Sequence, residues 1–194
     1  MKKFLREDLV GLERYAEIRN DFRIEVMEHK KNRRLSIGPN AALYFEDEKT
    51  IQYQIQEMLR IEKIFEATGV EGELETYNPL IPDGTNWKAT FMLEFDEEEE
   101  RRKQLSELID IESNIWLQVK SFDRIVPICN EDIERTNSNK TSSVHFMRFE
   151  LTTKMVIALK NKACLSAGID HPRYNYTVEE VAENIRQSLV NDLD

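Results

Sequence analysis

The sequence predicts an α+β protein with a mostly antiparallel sheet of about five strands and helices packed mainly on one face. Candidate strands follow one another at residues 87–95, 115–119 and 124–129, whereas strict alternation with helices would indicate a doubly wound fold. Hydrophobic residues make up 40% and charged residues 33% of the chain, which is enough apolar material for a packed core. We therefore expect residues 1–194 to form a single domain.

Two helices are predicted in the first third of the chain. Apolar and aromatic residues recur at spacings of three and four over residues 9–33, which is typical of an amphipathic helix. Asp47 or Thr50 caps a second helix, because both residue types accept hydrogen bonds from the free N–H groups at a helix start. We expect this helix to run to about Ala67 and to be closed by Gly69.

The clearest strand is predicted at residues 87–95. Apolar residues alternate there with Lys88 and other mostly polar residues, a period of two that indicates a half-buried strand. The strand follows a loop at residues 77–84 that contains two prolines and a Pro-Asp-Gly turn signal. Further strands are expected at residues 42–46 and 144–151.

A hairpin and a polar loop are predicted in the second half of the chain. Residues 115–119 and 124–129 are expected to pair as a hairpin, because alternating apolar residues flank a short turn. The segment at residues 131–142 is rich in Asn, Ser and Thr and is predicted to be a loop.

Three further helices are predicted after the clearest strand. The acidic run at residues 96–99 fits an Asp-x-x-Glu capping signature, which favours the first turn of a helix over a functional acidic patch. A second helix is expected over residues 152–163, with a stop at Gly168. A capping box at residues 177–180 is predicted to open the last helix.

Charge and cysteine content restrict the partners and the compartment. The formal net charge of -10 disfavours binding to nucleic acid or to an anionic membrane, since both depend on neutralising phosphate. The longest apolar run, residues 155–159, is too short to span a bilayer, and the first ten residues lack the apolar region of a secretory signal. Cys129 and Cys164 show no C-x-x-C spacing. We expect a cytoplasmic protein in a reducing compartment.

Polar residues interrupt the apolar faces of the first two helices. Arg19, His29 and Arg33 fall on the apolar stripe of the first helix. Glu62 falls in the middle of the apolar face of the second helix, with Gln54 toward one side. Because an unpaired buried charge is very unfavourable, we predict that Arg19 or Arg33 pairs with Glu62 in a partly buried network.

Three interpretations of this polar cluster remain open. The first is a buried ion pair that fixes helix register, and the second is a ligand pocket for a small anion or for acid/base chemistry. The third is an error in the assigned helical faces. A metal site formed by His29, Glu57, Glu62 and His145 is disfavoured, because no H-E-x-x-H motif and no Glu-x-x-His pair at metal-ligand spacing supports it, and we predict no metal ligands. His145 also lies on an apolar strand face, where a tucked histidine with a local hydrogen bond is favoured over a catalytic one.

Six segments carry a resemblance to a known family. They are residues 34–40, 56–60, 78–84, 88–92, 140–151 and 168–172. Through these segments the chain resembles a bacterial and archaeal family known as domain of unknown function 3501. The resemblance covers nearly the whole chain and implies one domain, and it implies no specific activity or site residue. Because genes of the family lie in some genomes beside rubrerythrin-like and iron–sulphur oxidoreductase genes, it also implies an accessory role in redox or peroxide stress.

The sequence contains no complete catalytic constellation. It lacks the G-x-G-x-x-G, G-x-x-x-x-G-K-[ST] and G-x-S-x-G motifs, and it indicates no particular cofactor. We expect a non-enzymatic binding or accessory protein, a homodimer, that recognises a small anionic ligand or a partner protein. The alternative is an enzyme that uses acid/base or mononuclear-metal chemistry at the Glu, His and Arg cluster.

Overall fold

The structure is a computed structural model that describes residues 3–131, 135–136 and 139–194. It has an α+β fold with two antiparallel sheets. The helices of the described residues are α1 (Leu12–Lys31), α2 (Glu48–Ile61), α3 (Ala67–Tyr77), α4 (Glu98–Glu107), α5 (Thr153–Lys160) and α6 (Glu183–Val190). The strands are β1 (Arg34–Ser36), β2 (Ala41–Phe45), β3 (Asn86–Leu93), β4 (Ile115–Val119), β5 (Arg124–Ile125), β6 (Ile128–Cys129), β7 (Val144–Glu150), β8 (Leu165–His171) and β9 (Tyr174–Val178).

The two sheets share one apolar core. The five-stranded sheet has the order β1-β2-β3-β7-β6, and the four-stranded sheet has the order β5-β4-β8-β9. Trp87, Phe91 and Phe149 of the first sheet and Leu117 and Ile169 of the second belong to the same buried cluster. Because successive strand residues point to opposite faces, the even-numbered residues of β3 project from the other face of the five-stranded sheet.

A second apolar cluster joins α2 and α3. Ile51 and Ile55 of α2 pack with Val70 and Leu74 of α3, and Tyr77 extends this cluster at the end of α3. This helical layer lies over the outer face of the five-stranded sheet, since side chains from α2, α3, β3 and β7 line one cleft. Within the described residues, no helix has the length and apolar composition needed to cross a bilayer.

The start of α2 confirms the predicted cap. The Asp47 side chain accepts a hydrogen bond from the Thr50 N–H at 2.9 Å, and the Thr50 hydroxyl accepts one from the Asp47 N–H at 2.9 Å. Both candidate residues therefore act together.

The predicted end of α2 was wrong. The helix stops at Ile61, and the chain turns at Lys63 in a left-handed conformation. Gly69 lies inside helix α3, which was not predicted.

Helix α4 begins in the predicted acidic run, but the predicted Asp-x-x-Glu cap is wrong, because the N-cap is Glu97 and no side chain caps the helix. Glu98, Glu99 and Glu100 lie in the first turn of α4, where the positive end of the helix dipole favours carboxylates. The predicted loop at residues 131–142 contains no helix or strand among its described residues, and residues 132–134 and 137–138 lie outside the described part.

Three predictions for the second half were wrong. The second arm of the predicted hairpin divides at Pro127, so that β5 pairs with β4 while β6 pairs with β7 in the other sheet. Gly168 lies within β8 rather than at a helix stop. A Cβ added at this position would lie 2.3 Å from the Trp116 ring. The capping box at residues 177–180 instead covers the end of β9, and the last helix begins at Glu183. Strands β1, β8 and β9 were not predicted.

Candidate functional site

A cleft of about 870 Å³ lies over the outer face of the five-stranded sheet. Its floor is formed by β3 and β7, where Lys88 is the cross-strand partner of Arg148 and Thr90 is the partner of Phe146. Gln54 of α2 contributes to the opposite wall. The remaining lining residues are Glu75, Thr76, Tyr77, Pro79, Leu80, Asp83, Asn86, Glu131, Arg135 and Met147.

Arg148 presents its guanidinium group along the floor of this cleft. Its Nε and Nη2 atoms donate to the two carboxylate oxygens of Glu131 at 2.9 and 2.7 Å, and its Nη1 atom donates to Glu150. The hydrogen bonds that Arg148 donates to Glu131, followed by the one that it donates to Glu150, raise the pKa of Arg148 and keep it charged. The planar fork is therefore already engaged in the bidentate pairing that guanidinium groups make with carboxylates.

Lys88 differs from its arginine neighbour because it has no acidic partner. The side chain is half-buried, and its Nζ atom donates to the backbone carbonyl of Pro79. Among the described residues, no carboxylate forms an ion pair with this amine. Burial lowers the pKa of Lys88, and the positive charge of Arg148 lowers it further. The cleft thus contains a partly desolvated cation that feels the charges of Glu131 and Asp83 but forms an ion pair with neither of them.

Aromatic side chains give the cleft an apolar part. The guanidinium carbon of Arg135 lies 4.6 Å from the centre of the Phe146 ring, which is within the range of a cation–π contact. Burial raises the pKa of the Tyr77 phenol, and an interaction with the Gln54 side chain opposes this rise. The site therefore combines three cations with two aromatic rings and several carboxylates.

The sequence-predicted cluster divides into separate groups of contacts. Arg19 pairs with Glu57, with Nε–Oε1 and Nη2–Oε2 distances of 2.7 Å. The Tyr15 hydroxyl donates to the same carboxylate at 2.9 Å. The hydrogen bonds from Arg19 are the main cause of the lowered pKa of Glu57. The predicted pairing with Glu62 was wrong, because α2 ends one residue earlier and leaves Glu62 exposed.

Arg33 and His29 belong to a second group, between α1, α2 and the end of the chain. Arg33 is 2% exposed, and its Nη2 atom lies 2.5 Å from Oδ2 of Asp192. Its Nη1 atom lies 3.2 Å from Oδ2 of Asp47, which also contacts Nε2 of His29 at 2.5 Å. Burial raises the pKa of Asp192, and Arg33 opposes that rise. Arg33 therefore pairs with two aspartates instead of Glu62.

His145 belongs to a third group, in the interior of the sheet. Its Nε2 atom lies 3.0 Å from both the Thr141 hydroxyl and the Ser142 carbonyl, and its Nδ1 atom lies 3.0 Å from the Asn130 amide nitrogen. Burial lowers the pKa of His145, although Glu112 at 3.9 Å opposes this effect. The side chain is fully buried, which confirms the expectation of a tucked histidine with local hydrogen bonds.

The residues considered for a metal site do not form a common site. His29, Glu57 and His145 each belong to a different group of contacts, and Glu62 is exposed. In the part of the chain that the structure describes, no group of three or more His, Cys, Asp and Glu side chains is arranged to hold a metal ion. Of the seven predicted site residues, Gln54 alone is a lining residue of the cleft.

The family comparison identifies the fold and the relatives of the chain. A family model described as "Protein of unknown function (DUF3501)" matches residues 3–193. The chain belongs to this family. A crystal structure of a protein of unknown function from Burkholderia pseudomallei is similar to this member of DUF3501, with 45% identity, a TM-score of 0.94 and 100% of each chain covered. No curated protein matches the chain.

The basic residues of the cleft were not predicted as site residues. Helical periodicity directed attention to α1 and α2, whereas Lys88 and Arg148 are regularly spaced polar residues of amphipathic strands. The resemblance to DUF3501 contained a usable signal, because three of its six segments supply lining residues. These are residues 78–84, residues 88–92 and residues 140–151.

Proposed function

We propose that the protein binds a small anionic ligand in the cleft between β3, β7 and the α2–α3 layer. The observation that carries this proposal is the half-buried Lys88 amine, which has a backbone carbonyl but no described carboxylate as its partner. A partly desolvated cation gains free energy when an anion approaches it, because the anion replaces lost hydration. The chemistry of the cleft therefore favours an anionic ligand.

Arg148 restricts the shape of the anionic group. Its planar fork matches a carboxylate or a phosphate bidentately, and Glu131 already occupies this fork as an internal carboxylate. Glu131 is 52% exposed, so a ligand carboxylate reaches the same position by displacing an accessible side chain. The Arg148–Glu131 pair therefore shows the geometry in which a ligand carboxylate would bind, and Glu131 competes with that ligand for Arg148.

Size and polarity support a small organic anion. The volume of about 870 Å³ lies within the range of roughly 300–1,000 Å³ that is usual for small-molecule pockets. Tyr77, Leu80 and Phe146 supply apolar surface beside the cations. We expect a ligand that has a carboxylate or phosphate at one end and an apolar portion at the other.

Thermal-shift measurements and calorimetry with malonate, benzoate and inorganic phosphate test this proposal. We expect at least one of these anions to stabilise the wild-type protein, and we expect Lys88→Met to abolish the stabilisation. Lys154→Met is the matched control, since Lys154 is an exposed lysine on α5, away from the lining of the cleft. Equal anion responses in the two variants would refute the assignment of the cleft.

We also propose that the protein has an accessory role in redox stress, which it performs by binding a ligand or a partner. Burial raises the pKa of the Cys129 thiol to about 12, with Glu112 adding to the effect, so this cysteine is a poor thiolate nucleophile. Cys129 and Cys164 are both free. A redox link is thus better explained by a bound effector than by cysteine chemistry at Cys129.

Homodimerisation, a cytoplasmic location and recognition of a partner protein are further parts of the proposal. Light scattering coupled to gel filtration tests the dimer, and cell fractionation tests the location. Affinity purification of the wild-type protein and of Lys88→Met, compared side by side, shows whether partner binding depends on the occupied cleft.

A further inference from the structure

Lys88 lies on one of the most firmly held strands of the fold. Strand β3 pairs with β2 on one side and with β7 on the other. The backbone at Lys88 is therefore fixed, and the Pro79 carbonyl holds the amine at the wall of the cleft. A functional group on a central strand is positioned more accurately than one on a loop.

The surroundings of the amine lower its pKa below that of an exposed lysine. Burial and the neighbouring Arg148 disfavour protonation, whereas Glu131 and Asp83 oppose this effect without forming an ion pair with the amine. A neutral lysine amine is a nucleophile that reacts with carbonyl compounds. Arg148 therefore both attracts an anion and increases the fraction of the Lys88 amine that is neutral.

We propose that Lys88 reversibly captures the carbonyl carbon of a small oxo acid as an imine, while Arg148 holds the carboxylate of that acid. This inference deepens the proposed anion-binding function and rests on it. Lys88 and Arg148 are direct cross-strand partners, so their Cα atoms are about 4.5–5.5 Å apart. A 2-oxo acid carries its carbonyl and its carboxylate on adjacent carbons, which matches two neighbouring cations on one sheet face.

The capture step balances without a further reactant. The neutral Nζ atom donates its electron pair to the carbonyl carbon, and the C–N bond forms as the oxygen gains a proton to give a carbinolamine. The carbon–oxygen bond then breaks, the two amine protons are lost in the course of the reaction, and one molecule of water leaves for each imine formed. No group is oxidised or reduced.

The lining of the cleft supplies apolar surface and groups for proton exchange. Tyr77, Leu80 and Phe146 give the cleft that contains the amine an apolar part. Asp83 and Glu75 line the same cleft and supply carboxylates for proton exchange. Thr85 donates to Asp83 through its N–H and its hydroxyl, at 2.9 and 2.7 Å, and so holds that carboxylate in place.

Borohydride trapping tests the inference on the full chain. The protein is incubated with glyoxylate and sodium borohydride, and the adducts are located by intact mass and peptide mapping. We expect a single major adduct on Lys88, with a yield above that of an exposed lysine such as Lys154, because the lowered pKa leaves more of the Lys88 amine neutral. Lys88→Arg is expected to lose this adduct, and Lys154→Met is expected to retain it.

Trapping with a neutral aldehyde distinguishes the positioning role of Arg148 from the general reactivity of the Lys88 amine. Propanal carries no carboxylate, so we expect less trapping than with glyoxylate. The yield with propanal should fall less in Arg148→Gln than the yield with glyoxylate, because propanal loses only the effect of the Arg148 charge on the Lys88 pKa, whereas glyoxylate also loses the partner of its carboxylate. Malonate, which has no carbonyl electrophile of this kind, should protect Lys88 from glyoxylate.

The outcomes separate the inference from the function on which it rests. Adduct on Lys88 that malonate suppresses supports both. Stabilisation by malonate together with an even spread of adducts over the exposed lysines overturns imine formation and leaves anion binding in place. Absence of both stabilisation by the anions and preferential trapping overturns both.

Discussion

Replacement of Arg33 by methionine should destabilise the protein by about 3–5 kcal/mol, the usual cost of removing one partner from a buried ion pair. Arg33 is 2% exposed, and it donates to the Phe45 and Glu46 carbonyls at 2.9 Å each. It also contacts both carboxylate oxygens of Asp192. Methionine has a similar length but no donor, so these buried acceptors lose their partner.

Urea unfolding followed by circular dichroism measures this loss. For a chain of this length, a loss of 1 kcal/mol lowers the melting temperature by about 2–4 °C. We therefore expect the melting temperature of Arg33→Met to fall by about 6–20 °C. Arg34→Met is the matched control. Arg34 pairs with Glu94, and the two side chains are 42% and 40% exposed, respectively. That exposed pair should contribute less than about 1 kcal/mol.

A second variant keeps the reasoning testable if Arg33→Met does not fold. Asp192→Asn retains the shape of the side chain and leaves Arg33 its backbone acceptors and Asp47. We expect a smaller loss of about 1–3 kcal/mol. Equal free energies of unfolding for Arg33→Met and Arg34→Met would show that the buried network does not stabilise the fold.

Three further predictions concern the cleft, the second sheet and acid stability. Glu131→Gln should tighten binding of the test anion in calorimetry, since the internal competitor loses its charge; unchanged or weaker binding contradicts this. Gly168→Ala should destabilise by about 1–3 kcal/mol in urea unfolding, because its Cβ would lie 2.3 Å from the Trp116 ring; a neutral result would show that the ring moves aside. The lowered pKa of Glu57 means that its contribution to stability is complete above the ordinary value of 4.5 and is lost as pH falls through the lowered value. The difference in unfolding free energy between wild type and Arg19→Met should therefore shrink in acid, and a difference independent of pH would contradict the pairing.

Local patterns predicted those elements whose signals lie within one segment. The alternation in β3 and the reciprocal cap formed by Asp47 and Thr50 depend on neighbours two or three residues apart. These local signals gave the α+β class and several of the elements correctly. The capping box at residues 177–180 failed because the same letters also suit the end of a strand, and β8 determines that strand by pairing with it.

The periodicity of the sequence could not predict the partners of the charged residues. Arg33 pairs with Asp192, which is 159 positions away, and no pattern in either segment identifies the other. Glu62 was placed on a core face because the helix was extended past its end at Ile61. Of the cleft, sequence reasoning identified Gln54 but not the pairing of Lys88 with Arg148, because strand register is set by tertiary packing.

The docking of α6 has a consequence for biosynthesis. The Trp87 indole donates to the Leu189 carbonyl at 2.9 Å, and Arg33 awaits a carboxylate near the end of the chain. A chain emerging from the ribosome presents the arginine and the indole long before either acceptor is made. The core between the sheets is therefore completed only after α6 has been synthesised, and until then the nascent chain exposes the apolar surface that α6 covers.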